Sequence, residues 1–282
     1  MSRLRRNRTV RHVLRNPTAV AALVFLAVLC VVAVLSPWIM PDDPGHQDLL
    51  NKLESPSGEH WLGTDSLGRD NMSRLIEGTR VTLVAVVQAM TLAVVLGIPA
   101  GLLAGFVGSV VDLVLTWITD LLLSLPPLIL ALAIVGILGP GLTNAMVAVG
   151  IAFSPRFFRV ARAAAQSVRN ETYVEATRSI GCSTPRILFR HVLPNSSGPL
   201  LVQITFSLGL VVVAEASLSF LGLGSRPPTA TWGSMLRDGF DNVYDGTFPL
   251  LAPSVMIVLT ILATAVLGDA LRDALGRQSR AR

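Results

Sequence analysis

A chain of 282 residues that is 51% hydrophobic and only 15% charged, with a mean hydropathy of +0.60, departs from soluble domains, in which about a quarter of residues are charged. No charge falls between Arg15 and Asp42, Arg80 and Asp112, Asp120 and Arg156, or Asp245 and Asp269, and Glu215 stands alone between Arg190 and Arg226. Each gap can hold the roughly 20 apolar residues of a membrane-crossing helix, which excludes a soluble globular domain.

In chain order, residues 1–16 form a basic N-terminal segment, and residues 17–40 are the first apolar run. That run is too long for a cleaved signal core and no small-x-small site follows it. Leu29 before Cys30 argues against lipoprotein processing, so the run reads as a retained span. Residues 41–79 form an outer loop containing WLGTDSLGRD, where Asp70 can cap a helix running through Arg74 to Arg80. A five-span core over 80–270 follows. In its first span, 80–106, Gly97, Gly101 and Gly105 favour close helix packing. Pro126-Pro127 should bend the next, 110–138, and GPG at 139–141 is a turn. The run 142–165 is weakest: only Leu142 to Pro155 is free of charge, about 21 Å of helix. Arg156 and Arg159 would have to snorkel to the interface. Spans at 197–222 and 247–270 and a tail at 271–282 complete the expected six-span, all-α membrane fold.

Orientation follows from arginine and lysine. Six arginines precede the first span, seven lie from Arg156 to Arg190 and four follow Asp269, whereas the opposite side has six basic against eleven acidic residues. The positive-inside rule places both termini and the 156–190 segment in the cytoplasm. The net charge of +5 is then a topology signal, and nucleic acid is not an expected partner.

Within that segment, ETYVEATRSIGCSTPRILFRHVLP (171–194) reads as two short helices. Glu171 and Glu175 near the start and Arg178 near the end of 171–180 suit the helix dipole, and Gly181 suits a positive-φ stop. Thr184 is the expected N-cap and Pro185 the first residue of the second helix, which Pro194 should end. A surface helix with exposed apolar anchors among charges suits a partner's groove.

The run E-A-T-x-x-x-G followed by L-P resembles the EAA loop of ABC importer permeases, with Glu175, Ala176, Gly181, Leu193 and Pro194 matching and Thr177 where alanine is usual. HWLGTDSLGRDNMSRLIEGTR (60–80), LGPGLTN (138–144), RHVLPN (190–195), EASLSFLGLG (215–224), PPTATWGSML (227–236) and LGDALRDAL (267–275) resemble, in order and spacing, the C-type subunit of the dipeptide/oligopeptide/nickel permeases. The resemblance covers nearly the whole chain. It implies a type I ABC importer permease fold. A homologous permease subunit would complete a heterodimeric pathway, two ATPase subunits would carry ATP and Mg, and an extracytoplasmic solute-binding protein would deliver cargo. Residues Glu175 to Gly181 would be the coupling helix within a coupling loop at 166–196, with Arg186 as a further contact. Asp65, Gly68, Arg69 and Asp70 match the outer motif. Peptide is the expected cargo; nickel, glutathione and heme-like solutes are the alternatives.

The energy source must lie elsewhere. Lys52, in the outer loop, is the sole lysine, so no P-loop lysine exists. No cofactor is expected on this chain. His12, His46, His60 and His191 all fall in polar segments, and neither cysteine has metal or disulfide spacing. These features argue against an enzyme; a gated channel or membrane scaffold is the alternative of a different class. Asp112 and Asp269 lie at span ends, suited to headgroups or helix caps. Asp120, Glu215 and Gln88 are deeper pathway or interface candidates, against the plainer reading of structural hydrogen bonds to neighbouring helices.

Overall fold

The computed structural model describes residues 14–280 apart from 170, 180 and 245–247; the side chains of 173, 175, 176, 178, 191, 195, 248 and 277–280 fall outside the described residues. Most of the basic segment 1–16 and the end of the tail therefore lie outside them as well. The helices are α1 (Pro17–Ile39), α2 (Asn71–Val107), α3 (Ser109–Leu123), α4 (Pro127–Leu138), α5 (Leu142–Arg169), α6 (Thr172–Ser179) and α7 (Thr184–Ile187). After a π-helical turn (Leu188–Val192) come α8 (Leu193–Phe220), α9 (Trp232–Asp241) and α10 (Phe248–Arg280).

Among the described residues, α1, α2, α8 and α10 are long and apolar enough to cross a membrane. α3 and α4 pass the same test as a pair, bent by 92° at the break before Pro127. Pro126 and Pro127 supply the cause, since proline lacks the amide hydrogen and crowds the preceding turn. α5 has 28 residues, about 42 Å of helix. Its charges keep it below the apolarity of a lipid-facing span, and it meets the need by packing inward.

The α2–α5 seam shows how. A Cβ added at Gly97, Gly101 or Gly105 would collide with the carbonyl oxygen of Ser154, Phe158 or Arg162 respectively. Both sets recur every four residues, so three glycines on one face let two backbones touch over two turns. The same seam continues through the fully buried Ala89, Ala93, Ala145 and Ala148. Across the molecule, Ala19 and Ala22 of α1 cluster with Ala263, Leu267, Ala270 and Ala274 of α10. Large apolar side chains such as Val84, Leu113, Trp117, Val255 and Leu262 remain exposed, as expected of helices solvated by lipid.

Candidate functional site

At one end of the bundle, α6 and α7 form a knob. Gly181 turns the chain between them at φ +80°, and the Cys182 amide donates to the Thr177 carbonyl at 3.2 Å. No atom crowds an added Cβ at Gly181, so backbone conformation alone demands glycine there. Val174, Ile187, Leu188 and Val192 pack with Leu102 and Phe106 of α2, Ala161, Ala165 and Val168 of α5, and Leu200 of α8. The knob is thus fixed to the ends of three long helices.

Three expectations for this region need correction. The apolar face of the second short helix is consumed by the chain's own core; Arg186, Phe189 and Arg190 are what it exposes. Ser183, not Thr184, is the N-cap, without a side-chain cap bond. Pro194 does not stop the helix. It enters the first turn of α8 directly after the π-helical turn, whose wider spiral relieves the clash a proline ring makes with the carbonyl four residues back. Leu193 is half-buried and Pro194 exposed, while the side chains of Glu175 and Ala176 lie outside the described residues.

The charges inside the bundle are paired between α3 and α5. Asp112 accepts two bonds from Arg162, at 2.5 and 2.8 Å, and one from Thr116 at 3.2 Å. Asp112 lies in the first turn of α3, as its place at a span end implied, and also binds a neighbouring helix. Asp120 meets Arg159 at 3.0 Å, with the two side chains 57% and 61% exposed. Arg156 stands 4.7 Å over the Phe153 ring, a cation–π distance. Glu215 is 0% exposed, accepts from the Ser219 hydroxyl at 2.8 Å, and leaves its second carboxyl oxygen without a partner. It lies about 8 Å from the α8 terminus at Phe220, beneath the loop leading to α9. Gln88 is half-buried on α2. These three candidates sit on three different helices, with no hydrogen bond joining them among the described residues.

The other end carries the outer motif. Asp70 accepts from the Ser73 amide and hydroxyl at 2.7 Å, capping α2, and meets His60 at 3.1 Å. Gly68 turns at φ +71°, and a Cβ there would strike the Asp48 carbonyl. Asp65 gathers the Leu67 and Arg69 amides, the Arg69 guanidinium at 2.6 Å and Arg74 at 3.2 Å. Asp238 of α9 takes Arg69 at 3.3 Å and Arg74 at 3.0 Å. Burial pushes the Asp238 carboxyl up from its ordinary range, and Arg74 and Arg69 draw it back. α9 is further held by the buried Trp232, whose amide donates to Thr82 and whose ring N–H donates to Thr79. A Thr231/Ser234 capping box starts this helix. The sequence reading passed over Arg74 and Asp238 as network members; the T-W-G-S box beside them was its only local sign.

The chain belongs to the family of binding-protein-dependent transport system inner membrane components, matched over residues 97–281, and it is a multi-pass ABC importer permease. Residues 5–56 match the N-terminal transmembrane domain of oligopeptide transport permease C. The dipeptide transport system permease protein DppC of Alkalihalophilus pseudofirmus is 37% identical, covering 93% of this chain and 86% of the relative. The glutathione transport system permease protein GsiD of Pectobacterium atrosepticum is 41% identical, covering 94% and 88%. A chain of the MetNI methionine ABC transporter in an inward-facing conformation superposes with a TM-score of 0.57 at 21% identity, over 72% of this chain and 97% of that one. At that identity the likeness shows the shared type I importer permease fold.

Proposed function

We propose that this chain forms half of the translocation pathway of an ATP-driven importer of small peptides. A homologous permease subunit completes the pathway within the lipid bilayer, and a solute-binding protein delivers the peptide from outside. Both termini and the knob face the cytoplasm, where two ATPase subunits bind ATP and Mg and grip the segment from Glu175 to Pro194. The observation that carries this reading is the knob itself. Its apolar side is locked to α2, α5 and α8 through Ile187, Leu188 and Val192, leaving an exposed polar and arginine-bearing side for a partner. Displacing such a knob must displace the helix ends to which it is packed. One relative described above is named for dipeptide and the other for glutathione, the alternative cargo that is itself peptide-like, and those names favour a small peptide over nickel.

Labelled dipeptide uptake in cells lacking this chain, then complemented with it, tests the proposal. Complementation restores uptake, and an ATPase subunit crosslinks through Cys182. Unchanged uptake in the deletion removes the peptide reading; labelling of residue 182 from outside the cell removes the orientation.

A further inference from the structure

Arg156, Arg159 and Arg162 stand three residues apart on α5, a rising line of positive charge. The second and third rungs are neutralised by Asp120 and Asp112. Arg156 is not: among the described residues its contact is the face of Phe153, and no carboxylate lies within ion-pair range. Counted from Leu142 as the edge of the hydrocarbon, it lies about 21 Å along α5, short of the roughly 30 Å that would carry it out of the far side. A charge at that depth is held against a water-filled cavity or an opposite charge, not against lipid.

A groove supplies the cavity. Val160, Ala163, Ala164, Ser167 and Val168 of α5, with Ser196 and Pro199 of α8, line an open cleft of about 470 Å³ at the coupling-loop end of the bundle. Positions 156, 160, 163 and 167 share one face of a helix, at i, i+4, i+7 and i+11. The groove therefore runs down the same face that carries Arg156. Its walls are small and weakly polar, and its volume falls in the range of small-molecule sites. Among the described residues, Arg156 is the cation that shares this face, one helical turn before the first lining residue, Val160.

We propose that this face of α5 is the inner part of the substrate path, and that Arg156 takes the carboxylate of a peptide passing into the groove. The proposal rests on the peptide-import reading and adds a specificity residue to it. Arg159, turned toward Asp120, sets the charge balance at the groove head, so one net positive charge faces the cargo. The guanidinium presents paired donors that match a carboxylate.

The complete complex, reconstituted in vesicles with its binding protein, is offered a free-acid dipeptide and the same peptide as its C-terminal amide. Arg156→Gln is expected to slow the free acid about tenfold and the amide by no more than about twofold, the loss of one charge-assisted contact. Arg156→Lys keeps the charge and recovers most of the rate. Equal slowing of both peptides, or of neither, overturns the proposal. A second measurement does not depend on turnover. With Cys30 and Cys182 replaced by serine, Ser167→Cys is expected to react faster with an anionic thiol reagent than with a cationic one, and Arg156→Gln removes that preference. Labelling that ignores Arg156 overturns the proposal. A wild-type complex that moves neither peptide but keeps the charge-dependent labelling overturns the peptide reading while supporting an anion-attracting groove.

Discussion

The two ends of this bundle are held by different physics. At the outer-motif end, the buried Asp65, Arg69 and Arg74 form an ionic network that reaches the partly exposed Asp238, and Asp70 and Thr231 cap the helices beside it. At the knob end, Val174, Ile187, Leu188 and Val192 sit in an apolar cluster. Charge-assisted bonds are directional and tolerate one geometry; apolar burial is non-directional and tolerates small displacements. Under the proposed function, the difference suits a subunit whose outer platform stays in register while its knob moves with an ATPase partner.

The largest expected effect comes from the ionic end. Asp65→Ala leaves the buried guanidinium groups of Arg69 and Arg74 with Asp238 as their remaining carboxylate and is expected to cost about 3 kcal/mol, the low end for breaking a buried pair, read as a large fall in the thermal midpoint of the detergent-solubilised complex. A loss below about 1 kcal/mol would mean that the network is no stiffer than a surface ion pair. Next, Gly101→Leu drives a side chain into the Phe158 carbonyl and should cost at least the roughly 1–3 kcal/mol of an overpacked core, seen as loss of protein from the membrane fraction. Gly181→Ala meets no steric neighbour, so it should cost only the φ penalty of about 1–2 kcal/mol. Its signature is normal membrane level with reduced uptake per ATP hydrolysed; unchanged coupling would show the turn to be a passive linker. Smallest is Asp120→Asn. This pair is more than half exposed, and its removal should change the thermal midpoint by the equivalent of about 0–1 kcal/mol.

What could be read in the sequence was local. Asp70 ahead of N-M-S-R announced a cap, Gly181 a left-handed stop, Pro126-Pro127 a break, and Gly97, Gly101 and Gly105 a close helix contact; each depends on a few neighbouring residues. What could not be read depends on distance. Asp112 could be placed at a span end, where the first turn of α3 holds it, but its partner Arg162 could not be named because it is fifty residues away. Arg74 and Asp238 are farther apart still. Periodicity gave α7 an apolar face but could not say that the chain's own helices cover it. The local rule for proline failed at Pro194 because a wider turn removed the clash on which that rule rests.

That wider turn has a consequence for how force crosses the bilayer. From Thr184 to Phe220 the backbone is one unbroken helical rod, about 55 Å long. Its first turns belong to the knob, and its last stretch carries the buried Glu215, bonded one turn on to Ser219. Under the proposed function, a push applied to the knob would reach the far end of α8 as tilt and swivel of this continuous rod. The swivel point is the loosened coil beside Pro194, and no relay of separate parts is needed.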